Sequence, residues 1–368
     1  MPRLSQTLST TTQKTEFVLS IPLDLMNAMY FTSLVERLEG IEGWPARVRP
    51  AMDRRLLAEL DFLYDYPAGD PAIMGILGDS LFAHPEAWAG TDALVEYIRA
   101  MPDGMGDGQA NLGVQGLVYE ATFRYLEPPD RSPYEGLPPR EAIERRMRSL
   151  GDRDADAIMA LFDRPQELRS RMVRLIQRFY EQHYRHELPK RLPCLERSVA
   201  AHRARPTGDV IELTRRLTGR PTSCLEDVCP GPYDRLVFAP SLDMGPYTSC
   251  AAIGRVHGML YPCEPEFLGA PPEAAEETRL ARLFKALSDE QRLRILRLLR
   301  EREMYAQEMV ERTGLHQSVL SRHLAFMKAV GLVTARRQNN MKFYSLNPAM
   351  REELAKTMEL FPAAGSRE

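Results

Sequence analysis

The sequence predicts a mainly α chain, a helical front domain that ends in a small β-hairpin or sheet and a second, smaller unit behind it. Three observations carry this. Apolar residues recur at three- and four-residue spacing over most of the first 220 positions. Short β-prone runs bounded by Gly and Pro are confined to the stretch around 235–261 and to the last third of the smaller unit. The charge is also divided: residues 279–347 hold 14 Lys/Arg against 6 Asp/Glu, a net +8, whereas residues 1–278 hold 31 against 41, a net −10, and the tail adds −1 to give the overall −3.

Length and composition set the frame. At 368 residues two or three domains are expected, and 44% apolar with 27% charged residues is the balance of an ordinary globular chain. No run approaches the ~20 apolar residues of a bilayer span, and the polar start MPRLSQTLSTTTQKTE lacks the layout of an export signal. A cytoplasmic location without membrane contact is therefore expected. Five cysteines, an odd number without an export signal, are expected as reduced thiols.

In residues 17–126 the core stripes are Leu34, Leu38 and Ile41, then Leu56, Leu57, Leu60 and Leu63, then Leu94, Val95 and Ile98. The proline-dense segment 127–140 reads as a loop. Pro165 opens a helix whose stripe Leu168, Met172, Leu175, Ile176, Phe179 predicts a long central element ending near Glu187. A further helix covers about 209–217 and stops at Gly219 and Pro221. The runs 235–240 and 255–261 then close a domain spanning 1–263, and the Pro-, Ala- and Glu-rich stretch 264–277 reads as a linker.

Residues 278–348 carry the specific pattern. Ser288 followed by Gln291 forms a capping-box spacing ahead of a strongly apolar helix. A second helix, about Ala306 to Arg312, stops at Gly314, and a third, about Gln317 to Val330, follows at once. The third helix sets Val319, Leu320, Leu324 and Met327 against Gln317, Ser318, Ser321, Arg322 and Lys328. Two β-prone runs around Gln338-Asn339-Asn340 make a basic hairpin, a wing carrying Arg336, Arg337 and Lys342, and residues 349–368 read as a final helix and tail. This is a winged helix-turn-helix. A major groove about 12 Å wide admits one helix, whose first residues reach base edges; Gln pairs with adenine and Arg with guanine, at roughly 1 to 3 kcal/mol of discrimination each. Wing cations neutralise phosphates. His323, beside Arg322, is equally readable as a structural or a phosphate-contacting residue.

Residues 279–347 resemble the ArsR-type family of bacterial regulators. The likeness rests on Phe284-Lys285-Ala286-Leu287-Ser288-Asp289 with Arg292 to Leu296, on Gln317 to Leu324, and on Ala329-Val330-Gly331-Leu332-Val333 leading into the wing. The resemblance implies a homodimer on an inverted repeat in double-stranded DNA, with 280–287 and the helix after Pro348 helping to form the dimer. The sequence departs from the metal-sensing members of the family: Tyr305 and Gln307 stand where those carry a Cys-x-Cys pair, and 349–360 contains no His.

Other patterns have plainer readings. Cys224, Cys229, Cys250 and Cys263 would suit a four-thiolate metal site, but buried free cysteine fits their spacing better. His183 and His186 read as a solvated helix end, and Gly104 to Gly108 matches no phosphate-binding loop and reads as a mobile one. No catalytic motif stands out, so no enzymatic activity and no required cofactor are expected. The expected function is a transcription regulator, more simply a repressor, whose DNA occupancy is modulated by a small-molecule effector, a partner or a thiol state sensed in the front domain. The alternatives are a front domain that only dimerises or docks a protein, and an enzyme with an accessory DNA module.

Overall fold

The computed structural model describes residues 14–64, 72–124, 126, 131–150, 155–205, 208–218, 233–263, 265–269, 271, 273–338 and 341–358. The front domain is built from α1 (Ile21–Leu34), α2 (Trp44–Val48), α3 (Arg54–Tyr64), α4 (Ile73–Ser80), α5 (Thr91–Ala100), α6 (Val114–Phe123), α7 (Pro139–Leu150), α8 (Ala155–Phe162), α9 (Pro165–Phe179), α10 (Arg185–Arg203) and α11 (Val210–Thr218). Its central helix is α1 rather than the expected one at Pro165. Ser20 caps α1 by accepting from the Leu23 N–H at 3.2 Å, and 12 of its 14 residues are buried. A helix covered on every side has no polar stripe, so spacing gave no signal for it.

α9 has the amphipathic stripe that the sequence shows, but it does not end near Glu187. A π-helical turn, Tyr180–Tyr184, joins it to α10, which runs through Pro189 and Pro193 to Arg203. Each proline forgoes one helical hydrogen bond. Burial of Leu195 and Val199 on the same helix offsets that loss. The glycine-rich stretch near Gly106 is a packed turn, since a Cβ on Gly106, Gly113 or Gly116 would lie within 2.2 Å of a backbone oxygen.

The sheet at the domain's end has four strands: β1 (Lys14–Phe17), β2 (Arg235–Ser241), β3 (Ser249–Ile253) and β4 (Val256–Pro262), in the order β1-β2-β4-β3. The two runs expected to form a hairpin or small sheet are neighbouring parallel strands of this small sheet; the hairpin is β3–β4, and β1 pairs parallel with β2. Four residues reading KTEF are too short and polar for β1 to show in the sequence.

A buried polar network ties α1 to α10 and β2. Asp24 accepts from Arg191 Nε at 2.8 Å, Tyr184 Oη at 2.6 Å and Ser241 Oγ at 2.6 Å, and Arg191 also pairs with Asp243. Burial opposes ionisation of Asp24, but Arg191 and the donors around it hold its carboxyl below the usual range. Burial pushes the Asp243 carboxyl up.

The C-terminal unit has its own core and comprises α12 (Glu273–Leu287), α13 (Glu290–Glu301), β5 (Met304–Tyr305), α14 (Ala306–Thr313), α15 (Gln317–Ala329), β6 (Val333–Gln338), β7 (Met341–Leu346) and α16 (Met350–Met358). α12 begins inside the stretch read as linker, because Glu273 to Glu277 is a run of strong helix formers. Among the described residues no helix is long and apolar enough to cross a membrane.

Candidate nucleic-acid interface

Local chemistry fixes the three-helix frame. Asp289, not Ser288, caps α13: its Oδ1 accepts from the Arg292 N–H at 3.0 Å, while Ser288 Oγ donates back to the Lys285 carbonyl at 2.9 Å. α14 ends on Gly314 at φ 71°, a left-handed turn that a glycine adopts without strain. His316, which the sequence did not single out, caps α15 through Nδ1, 3.3 Å from the Ser318 N–H. Its place just after Gly314-Leu315 was the signal, and histidine is an uncommon cap.

α15 presents two faces. Leu320, Leu324, Phe326 and Met327 are buried and Val319 half-buried, whereas Gln317, Ser318, Ser321 and Arg322 are exposed together at the N-terminal end. Lys328 lies near the other end, half-buried. His323 is a correction to the candidate set: it is buried, with Nε2 2.8 Å from Gln291 Oε1, so it braces α15 against α13 instead of facing outward. Burial lowers its pKa.

The wing is the antiparallel pair β6–β7, with β5 added on the β7 edge; Asn339 and Asn340 at its tip lie outside the described residues. Arg336 is exposed, ion-pairs with Glu303 (Nε to Oε2 2.8 Å) and stacks over the Phe343 ring at 5.1 Å. Lys342 is exposed, with Nζ 5.5 Å from the Tyr344 ring centre. In the register Arg336 faces Phe343 and Lys342 faces position 337, so Arg336 and Lys342 belong to opposite faces of the hairpin. The side chain of Arg337 lies outside the described residues.

The module is seated on the front domain. Arg292, buried, donates Nε to the Ala286 carbonyl and Nη2 to the Lys285 carbonyl at 2.8 Å each, lies 5.1 Å over the Phe326 ring, and reaches Glu39 Oε2 through Nη1 at 2.5 Å. Lys285 meets Glu42 at 3.3 Å. Between these ion pairs Gly40, at φ 83°, lies so close to Phe326 that a Cβ there would be 2.7 Å from Cε2. On the outer side, Phe284 and Leu293 are 46% and 41% exposed, large apolar side chains left uncovered in one copy of the chain.

The thiols differ from expectation. Cys194 and Cys263 are buried thiols, but Cys250 is disulfide-bonded, which removes it from a four-thiolate site; Cys224 and Cys229 lie outside the described residues. Among the described residues no group of three or more His, Cys, Asp or Glu is placed to hold a metal ion.

Three helices, a left-handed turn and a basic antiparallel wing define a winged helix-turn-helix DNA-binding module. The sequence pattern of the bacterial regulatory protein arsR family matches residues 289–335. The transcriptional activator HlyU of Vibrio cholerae is 37% identical over 87 residues, covering 23% of this chain and 81% of that protein. The arsenical resistance operon repressor of Staphylococcus aureus is 32% identical over 88 residues, 24% of this chain and 85% of that one. With relatives this similar covered over most of their length, the chain belongs to the arsR family of bacterial regulatory proteins. Among solved structures, HlyU of Vibrio cholerae matches at 32% identity and a TM-score of 0.20, covering 23% of this chain and 95% of that one. The homodimeric winged helix-turn-helix domain of Mb0332 from Mycobacterium bovis matches at 30% identity and a TM-score of 0.22, covering 25% and 84%.

Proposed function

We propose that this chain is a homodimeric repressor that reads an inverted repeat with α15 and is controlled through its front domain, without catalysis of its own. One observation carries the DNA reading: Gln317, Ser318, Ser321 and Arg322 share an exposed N-terminal face of a helix whose other face is locked into a core. Gln317 and Arg322 supply the base-reading amide and guanidinium, and the two serines supply short hydroxyls for base edges or phosphate. The net +8 of residues 279–347 draws the module to a polyanion, and the net −10 of residues 1–278 keeps the rest of the chain off it. Phe284 and Leu293 supply the apolar patch that a second copy covers.

Control by the front domain follows from how the module is seated. Phe326 belongs to the recognition helix itself and rests on Gly40, and Arg292, which braces Phe326, depends on Glu39 for its third partner. A front-domain rearrangement that moves Glu39 and Gly40 therefore acts on the recognition helix directly. An effector exerts control only to the extent that it binds the two arrangements with different affinity. The test is selection of duplexes from random DNA by the full chain, then fluorescence anisotropy on the winning sequence. A palindromic winner bound much more tightly than scrambled DNA is the expected result; equal binding of both at low salt refutes the proposal.

A further inference from the structure

The front domain holds a cavity of about 270 Å³ between α1, α4 and the β3–β4 hairpin. That is at the lower edge of ligand pockets, which run from roughly 300 Å³ upward, and it suits a small metabolite. Its lining includes the apolar and aromatic side chains of Met26, Tyr30, Tyr64 and Phe82 and the polar side chains of Asn27 and Asp79.

Two of the polar lining residues are short of a partner. The first is Asn27, which is 3% exposed and whose Oδ1 has no hydrogen-bond partner. Its orientation is not arbitrary. Ser241 gives its only hydroxyl proton to the Asp24 carboxylate, so it accepts from Asn27 Nδ2 at 2.7 Å, and that fixes Oδ1 as the atom left without a donor. The second is Asp79, among the described residues the one lining side chain that carries a charge near neutral pH. Its Oδ2 accepts from Arg124 at 3.2 Å, but Arg124 is shared with Glu120 at 3.1 Å, so one guanidinium serves two carboxylates and the trio keeps a formal −1. Burial pushes the Asp79 carboxyl up to about 6 although Arg124 pulls it down.

We propose that this cavity is the effector site and that its ligand is a small protonated amine with an apolar body, the ammonium paired with Asp79 and the body laid against Met26, Tyr30 and Tyr64. A surplus carboxylate calls for a donor, aromatic faces favour a cation, and among the described residues no basic side chain lines the wall to receive an anion. The proposal rests on the effector reading above and gives it a route. α1 supplies Leu23, Met26, Asn27 and Tyr30 to the wall, and the chain leaving it supplies Glu39 and Gly40 to the DNA module. A second strand of contact runs in parallel, for Tyr247 donates to the Glu39 carbonyl at 2.6 Å and its neighbour Thr248 lines the cavity.

The experiment uses the full chain, calorimetric titration with phenethylamine, and 2-phenylethanol and phenylacetate as the neutral and anionic counterparts of the same body. Phenethylamine is expected to bind at millimolar concentration or below, tighter than either counterpart by about tenfold or more. Asp79→Asn, which keeps the side-chain volume, removes that preference. Gly78→Leu, whose Cβ would meet Met26 at an ordinary 3.6 Å, fills the cavity and removes binding of all three compounds. No binding of the amine, equal binding of phenylacetate, or a preference that survives Asp79→Asn overturns the proposal. DNA affinity is measured alongside. Amine binding that leaves DNA affinity unchanged keeps the cavity and overturns the effector reading, whereas an amine effect on DNA that survives both substitutions overturns the cavity and keeps the effector reading.

Discussion

Gly40→Ala is the sharpest perturbation of the contact between front domain and recognition helix. The substitution acts twice. At φ 83° a non-glycine residue carries roughly 1 to 2 kcal/mol of left-handed strain. The added methyl would lie 2.7 Å from Phe326 Cε2 and 3.2 Å from Pro246 Cγ, and overpacking of this kind costs about 1 to 3 kcal/mol. Together these weaken the seating of the module by about 2 to 5 kcal/mol. Global unfolding is a poor readout, since a chain with two cores need not melt in one step. Native-state hydrogen exchange resolves the effect locally. Amides in the C-terminal half of α15 are expected to exchange about 30-fold faster or more, while those of β2 and β4 stay protected. Pairing with Phe326→Leu separates the two contributions, because the smaller side chain relieves the clash and leaves the strain; the cycle should return a coupling of about 1 to 3 kcal/mol. Unchanged exchange in α15, or a coupling near zero, refutes the claim that Gly40 is where the front domain presses on the recognition helix.

Four further outcomes follow from the same structure. Gln317→Ala and Arg322→Ala should each weaken the selected duplex by roughly 1 to 3 kcal/mol with much less effect on scrambled DNA; equal losses on both would show that neither side chain reads a base. Because Arg336 and Lys342 lie on opposite faces of the wing, only one of Arg336→Ala and Lys342→Ala should lower the salt slope, by about one; equal decreases in anisotropy titrations across salt would contradict the register argument. Phe284→Asp combined with Leu293→Asp should convert dimer to monomer in light scattering, and a persisting dimer would place the interface elsewhere. His257 is buried with neither ring nitrogen hydrogen-bonded, and burial holds its pKa at about 4, below the ordinary 6.5. Between those pH values the unfolded chain takes up a proton that the folded chain refuses, so stability falls by up to about 3 kcal/mol as pH drops from 6.5 to 4. His257→Leu should flatten that limb of a denaturation series, and identical slopes would refute it.

What the sequence disclosed tracks how local the determining physics is. The DNA module was legible nearly residue by residue: Gly314 as the left-handed stop, the polar first turn of α15 and the wing are set by interactions a few positions apart. Its misreadings were equally local. Ser288 gave way to Asp289 as cap by one position, and His323 turned inward because Gln291, 32 residues earlier, supplies a partner that no spacing displays. The front domain was legible as helical and little further. α1 carries no stripe because it is covered all round, β1 is a short polar strand paired with one 221 residues away, and α10 contains two prolines that normally end a helix. Each depends on contacts distant in sequence.

The same distinction explains why the proposed regulatory route escapes sequence inspection while the DNA face does not. Reading a duplex requires side chains to project from one short helix, and adjacency in sequence delivers that. Transmitting occupancy requires one rigid element to touch both ends. α1 lines the cavity and leads into the turn that touches the module, and Asp24 anchors it to Arg191 and Ser241, residues 167 and 217 positions away, so the helix cannot rotate freely within the domain. Breaking that anchor would expose an uncompensated buried charge, a loss of about 3 to 5 kcal/mol. On the proposed route, α1 held in this way would answer a change at Met26 or Asn27 by shifting as a body, and the turn that follows it would carry the shift to Glu39 and Gly40.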